Sequence, residues 1–451
     1  MRTDILKTGS RLVENGYRGF NIYYFDTKYF ALRQGDGQFD IAMLHARRYG
    51  TVFIGHTLED VKREVDLICP EAGEQGLRKS VLKKERALFL CMTAPEKAEP
   101  LLGLLSKNYE ITLLAANDGY KAGAGLDIIQ CEKAGRAAPW QFVPGDVTPG
   151  LSQRLKAAAF DVVIVPYDRE SFWMSAHPEI FAAGLTNRLL VAHPDGNGRL
   201  YKGEEIHRVI YNKSYLNSMF RRVPGLKGKK ILEVGCSDGL VCDLILNEGP
   251  EAVTGIDLLE TTGCGYNDPR IKYYRMDGSL LEFEDRAFDL CISIATLEHC
   301  KDPLKVLNEM KRAAKKGGYC YIQAGPLYFS PFGHHMFGFY DNFPWIHLRR
   351  SRDEIIEYSA ANGIDEKILK NRKMDLKEYV YGMINGGHIN GKRFSEYGLD
   401  GFMESKDIEV IQFSRSFEGE NLLDAAILGE LNHINKDDLT AHGFELLFRV
   451  R

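Results

Sequence analysis

The nine cysteines of this 451-residue chain include no Cys-x-x-Cys pair. The spacing of zinc and dithiol redox motifs is therefore missing. Thiols set in apolar runs, as in Leu90-Cys91 and Leu290-Cys291-Ile292, read as reduced and buried rather than as a disulfide framework. Long apolar runs are missing too. Met1 to Phe20 has no apolar signal-peptide core. The longest uncharged stretch, Gly317 to Tyr340, is broken by Pro326, Pro331 and glycines, so no membrane span is expected. Nor is there an excess of positive charge: the net charge is −4, and the clusters Lys83-Lys84 and Lys227 to Lys230 are balanced elsewhere. A phosphate-backbone binder would carry a basic stripe, so no nucleic-acid partner is expected. What is left is a cytoplasmic globular protein with 44% hydrophobic and 27% charged residues.

The length allows two or three domains. Residues 1–80 hold short strand-like runs, Ile22-Tyr-Tyr-Phe25, Tyr29-Phe-Ala-Leu32 and Thr51-Val-Phe-Ile54, with a Gly35-Asp-Gly37 turn and a charged helix from Leu58 to Ile68. They read as a small β-rich module. Residues 85–195 alternate strands and helices, with Ala87–Cys91, Glu110–Leu114, Leu126–Ile129, Asp161–Val165 and Arg188–Ala192 as strands. The alternation predicts a second, Rossmann-like α/β domain. Its first strand runs into Cys91-Met-Thr-Ala-Pro95 without a glycine, so no phosphate cradle is expected; binding or positioning a partner is favoured over chemistry, and the role itself stays open. His193-Pro-Asp-Gly-Asn-Gly198 reads as the linker to the final domain, residues 205–451.

That last domain carries the chemistry. Lys229–Val234 is a short apolar strand, and Gly235-Cys-Ser-Asp-Gly239 turns it into a helix over Leu240–Asn247. Glycines at such a turn let the backbone approach a ligand and expose helix N-terminal amides. The next strand, Ala252–Ile256, ends in Asp257, where a carboxylate can accept both hydroxyls of a ribose. The third, Ile271–Met276, ends in Asp277-Gly278, where a second carboxylate can take an adenine amino group. The fourth is Phe288–Ser293, followed by Ile294-Ala-Thr-Leu-Glu-His299. Asp302 and Pro303 open a helix whose end is marked by Lys315-Lys316 and Gly317-Gly318 before the fifth strand, Tyr319–Gln323. The spacing Gly-x-Gly-x-x-Gly that would hold a dinucleotide pyrophosphate is missing, which disfavours a nicotinamide enzyme.

In Glu233-Val-Gly-Cys-Ser-Asp-Gly239, Gly255-Ile-Asp257, Met276-Asp277, Phe288-Asp289, Leu297-Glu-His299, Asp302-Pro303 and Lys316-Gly-Gly318, the segment 229–323 resembles the class I S-adenosylmethionine-dependent methyltransferases, in particular the small-molecule branch. The resemblance implies a Rossmann-like seven-stranded sheet, completed by Ile408–Phe413 and an antiparallel last strand at Gly443–Val450, with 351–405 as a helical substrate-side insertion. It implies S-adenosylmethionine as cofactor, with Gly235 and Gly239 at its methionine part, Asp257 at the ribose and Asp277 at the adenine. Glu233, Cys236, Ser237, Leu258, Gly278 and Ile294 complete the expected cofactor set. The family often has glycine where Ser237 stands. Residues 1–80, with Gly16-Tyr-Arg-Gly-Phe-Asn21, loosely resemble a short module appended to bacterial surface-polysaccharide glycosyltransferases.

The loop after strand five, Ala324 to Tyr340 and on to His347, is rich in aromatics and leaves from the carboxyl end of the sheet, where open α/β sheets bind ligands. If the acceptor is a hydroxyl, a general base helps, and histidine suits the role. His334 and His335 are the first candidates, His299 the next, and His347 trails. Histidines without a carboxylate cluster do not specify a metal site, so no metal is expected. The reading is a bacterial-type methyltransferase acting on a small-molecule or glycan-precursor acceptor, specifically a sugar hydroxyl in surface-polysaccharide biosynthesis, with residues 1–195 available to dock biosynthetic enzymes. The alternatives are a natural-product or lipid-precursor methyltransferase, and a non-catalytic scaffold.

Overall fold

A computed structural model describes residues 84–115, 126–131, 147–173, 175–266, 268–337, 339–340, 342–362, 369, 374–384 and 387–451, with 11–17, 20–25, 28–33, 52–55, 58 and 61–62 from the amino-terminal part. The expected Gly35-Asp-Gly37 turn and most of the expected helix from Leu58 to Ile68 lie outside the described residues. The chain divides into two compact units. One comprises residues 1–221 with 238–247 and 263–271; the other comprises 222–237, 248–262 and 272–451.

In the first unit, β1 (Arg11–Tyr17), β2 (Phe20–Phe25), β3 (Lys28–Arg33) and β4 (Val52–Gly55) form an antiparallel meander. β1 was not legible, because Arg11-Leu-Val-Glu-Asn-Gly-Tyr17 mixes polar residues with an irregular register against β2. A six-stranded sheet follows in the order β10-β9-β8-β5-β6-β7. Its strands are β5 (Glu85–Leu90), β6 (Tyr109–Ala115), β7 (Asp127–Gln130), β8 (Val162–Pro166), β9 (Arg188–Ala192) and β10 (Gly198–Lys202). β8 is buried at every position, as expected for a central strand covered on both faces. The segment expected to be a linker is instead a hairpin. β10 returns antiparallel to β9, and Asp195-Gly-Asn197 makes the turn with Gly196 at φ +86°. Turn residues mark a reversal of the chain as readily as a domain break.

The helix Glu204–Phe220 belongs to this unit, so the compact units do not divide near residue 205. Its Lys213 ammonium is fully buried, 2.6 Å from the equally buried Glu179 carboxylate and over the Phe172 ring. The helix Leu240–Ile245 packs against it within the same unit.

The second unit is built on a seven-stranded sheet in the order β13-β12-β11-β14-β15-β17-β16. The strands are β11 (Lys230–Val234), β12 (Ala252–Asp257), β13 (Ile271–Arg275), β14 (Phe288–Ile294), β15 (Ala314–Ala324), β16 (Ile408–Phe417) and β17 (Ala441–Val450). β17 inserts antiparallel between β15 and β16, as the resemblance implies. The helix Pro303–Ala313 begins where Asp302 accepts the Lys305 N–H, and it buries Val306, Leu307 and Met310 on the sheet. Its end differs from the expectation: strand geometry resumes at Ala314, and Lys315 pairs with Asp289 at 2.8 Å rather than serving a helix terminus. Between β15 and β16 lie helices at Arg352–Asn362 and Leu376–Met383 and short turns at Phe394–Tyr397 and Leu399–Met403. Among the described residues no helix is long and apolar enough to cross a membrane.

Candidate active site

The turn after β11 is shaped by residues in the left-handed region: Gly235 at φ +83°, Ser237 at +48° and Gly239 at +97°. The N–H groups of Gly235 and Cys236 both reach the Ile256 carbonyl, at 2.8 and 3.0 Å, and stitch the turn to β12. A Cβ on Gly235 would lie 2.7 Å from Thr296 Cβ and nearer still to the Thr296 hydroxyl. Glycine is thus required by conformation and by packing at once. Ser237 holds the same region at the cost of backbone strain, which is the physical sense of glycine being common there.

The carboxylate of Asp257 stands at the carboxyl end of β12 and accepts the Ser237 N–H at 2.8 Å and the Leu259 N–H at 3.1 Å. Asp277, just beyond β13, is exposed and accepts the Ser279 N–H at 2.8 Å. Two strand-end carboxylates and the left-handed turn therefore occupy the carboxyl ends of three neighbouring strands. Leu258 leaves 62% of its surface exposed beside them, an apolar face of the kind a flat base covers. The remaining expected residues sit behind this surface. Glu233 and Cys236 are buried, Ile294 is the buried last residue of β14, and Gly278 packs closely on Val234. These residues fit a ligand with ribose hydroxyls, an amino-bearing base and an extended polar chain.

The histidines separate into two groups. His334 is fully buried; its Nδ1 accepts the Met336 N–H at 2.9 Å, and its Nε2 has no hydrogen-bond partner among the described residues. Burial holds its pKa well below the ordinary histidine value, with His347 and His335 adding to the effect. It is a core residue ringed by Phe332, Tyr340 and His347, which separates it from His335, the other of the two first candidates. His347 is also buried and donates from Nε2 to the Tyr328 carbonyl at 2.6 Å.

His335 and His299 instead face each other edge to face, with ring centroids 5.1 Å apart. His335 has φ +55°, an unfavourable conformation for a non-glycine residue and one that tends to occur at functional sites. Its Nε2 donates to the Pro326 carbonyl at 2.7 Å. Burial pushes its pKa down to about 4, against the pull of that carbonyl. His299 donates from Nδ1 to the His388 carbonyl. Burial lowers its pKa, opposed by that carbonyl and by the charge of Asp257. Both rings are therefore neutral at pH 7, and each keeps one lone-pair nitrogen.

Three further residues escape a reading of the sequence. His388 brings its ring to 4.7 Å from that of His299. Asn390 clamps this segment to the turn after β14: its N–H donates to the Glu298 carbonyl, and its side-chain amide donates to the carbonyls of Leu297 and Cys300, at 2.8, 2.9 and 3.1 Å. Glu298 is fully buried, and burial pushes its carboxyl up to about 8 despite backbone N–H groups from Glu298 and Gly325. The sequence around His388 offers no local signal of where the ring points.

A family profile described as a methyltransferase domain matches residues 232–322. The chain is similar to the ubiquinone biosynthesis O-methyltransferase of Vibrio cholerae, at 28% identity over 26% of this chain and 49% of that protein. It is also similar to the tRNA U34 carboxymethyltransferase of Campylobacter curvus, at 29% identity over 22% of this chain and 35% of that protein. The chain thus spans about half or less of these relatives' lengths. An S-adenosylmethionine-dependent methyltransferase from Mesorhizobium loti is similar at 17% identity with a TM-score of 0.33, covering 53% of this chain and 97% of that one, a likeness too slight to carry weight. Sheet order and the matched segment agree: residues 232–322 form a methyltransferase domain of the class I, S-adenosylmethionine-dependent kind.

Proposed function

We propose that this protein transfers a methyl group from S-adenosylmethionine to a hydroxyl of a small polar acceptor, and that the acceptor is a sugar of a surface-polysaccharide precursor. The observation that carries the first half is the Asp257 carboxylate, fixed by the Ser237 and Leu259 N–H groups beside the left-handed turn. In this reading Asp257 accepts the ribose hydroxyls, Asp277 the adenine amino group, and the Gly235–Gly239 turn receives the methionine part. The cofactor supplies a methyl group on a positively charged sulfonium. The protein's task is mainly to align the acceptor oxygen with it and to keep water out. His299 and His335, anchored on backbone carbonyls, border the acceptor and help to orient its oxygen.

An oxygen acceptor is supported by the O-methyltransferase name of the ubiquinone-biosynthesis relative. The sugar is supported by the aromatic loop after β15, where Tyr328 and Phe329 are half-buried and Phe337 is 52% exposed, since such rings stack on sugar faces. Labelled-methyl transfer to nucleotide sugars and glycan-precursor extracts tests the proposal, with phenolic and lipid precursors in parallel. Label in the sugar fraction is expected. Label only in phenols or lipids overturns the sugar, and no transfer to any fraction overturns the enzyme reading.

A further inference from the structure

One ring nitrogen from each of His299, His335 and His388 lies within 4.8 Å of the corresponding nitrogen on the other two. We propose that these three histidines bind one divalent transition-metal ion, of the zinc or cobalt kind, with a coordination position left open for an oxygen of the acceptor. Binding of the ion stands on its own; only its use on the acceptor rests on the methyltransferase reading.

The three rings come from three separate loops. His299 follows β14, His335 lies in the loop after β15, and His388 follows the helix Leu376–Met383. Their planes are not stacked: His299 and His335 meet at 85°, His299 and His388 at 55°, and His335 and His388 at 88°. What brings them together is the approach of the ring nitrogens, one from each residue, within 4.8 Å of one another. Metal–nitrogen bonds of about 2.0–2.1 Å in a tetrahedral site put ligand nitrogens roughly 3.4 Å apart. Closing on an ion therefore takes side-chain shifts of about 1 Å, within rotamer motion.

What surrounds the rings is the outer shell a metal site needs. A histidine ligand typically donates its other N–H to a carbonyl or carboxylate, which fixes tautomer and orientation. His299 Nδ1 and His335 Nε2 do so to the carbonyls of His388 and Pro326. Asn390 holds the His388 segment on the turn that carries His299, and His335 is kept in a left-handed conformation that positions its ring. His388 is exposed and the other two are half-buried, which leaves a path for an ion and for an oxygen donor. Three imidazoles and no thiolate suit borderline divalent ions better than magnesium or calcium.

The test uses the full chain, stripped with chelator and titrated with Zn2+ by calorimetry and with Co2+ by visible absorption. Expected are one ion per chain and the intense visible bands of low-coordinate cobalt. His388→Ala and His335→Ala should each weaken binding at least about tenfold, and Asn390→Ala by about tenfold as an outer-shell change. His433→Ala, a surface histidine far along the chain, should change nothing. Because His388 is exposed, its variant is checked for an unaltered melting profile, and His388→Gln is the second substitution. Substoichiometric binding, or affinity that His388→Ala and His335→Ala leave unchanged, overturns the site. Binding of S-adenosylhomocysteine is measured on the same samples, so a failed metal site and a failed methyltransferase reading give different results.

Discussion

Gly235 and Thr296 pack so closely that no Cβ fits between them, and this contact joins the turn after β11 to the turn after β14. A β-carbon at Gly235 would meet both the left-handed penalty and the Thr296 side chain. Gly235→Ala is expected to cost about 2–3 kcal/mol in denaturant unfolding of the domain. Adding Thr296→Gly should recover the packing part and leave the roughly 1 kcal/mol of backbone strain. A variant as stable as the parent would mean the turn does not have this geometry.

Ser237 occupies the same left-handed region with a side chain. Ser237→Gly should be near neutral, since relief of strain offsets the added entropy of the unfolded chain. Ser237→Val should be about 1–2 kcal/mol less stable than Ser237→Gly, because β-branched residues tolerate positive φ poorly. Paired melts of the two variants check the difference.

The acid sensitivity of the first unit is set in part by Asp268. Burial raises its pKa, but hydrogen bonds from Arg270 and Arg199 outweigh this and hold it well below the usual carboxylate range. A depressed folded-state pKa means the stabilisation is complete above the unfolded value near pH 4 and is lost as pH falls below it. The stability gap between the parent and Asp268→Asn should be constant from about pH 5 to 7 and shrink below about pH 4. Melts across that range give the sign directly.

His334 and His335 are adjacent in sequence and differ in surroundings, the first fully buried and the second half-buried. His335→Ala should lower turnover by about 100-fold or more with little loss of stability. His334→Ala should instead lower the melting temperature, because it empties a fully buried site. Equal effects of the two on turnover, at equal stability, would contradict the division.

The strands of the second unit, the glycine turn after β11 and both strand-end carboxylates are legible because each rests on local signals, namely apolar runs, glycine turns and a helix cap at Asp302, whereas the antiparallel last strand comes only with the resemblance. The histidine cluster is not legible. Nothing local tells His334 from His335; the first is turned into the core by its bond to Met336, the second outward by its own left-handed backbone. His388 reaches His299 across 89 positions, through a carbonyl contact that no spacing rule encodes. The hairpin at Asp195-Gly-Asn197 shows the same limit, since its turn residues were visible but not the antiparallel partner β10.

The turn after β11 and Asp257 are expected to bind S-adenosylmethionine. Calorimetric titration of the full chain with S-adenosylhomocysteine, beside Asp257→Ala, tests it most directly. One site per chain is expected, with affinity lowered at least about tenfold in the variant, as loss of charge-assisted hydrogen bonds to the ribose requires. No binding to the parent chain, or equal binding to both, would contradict it.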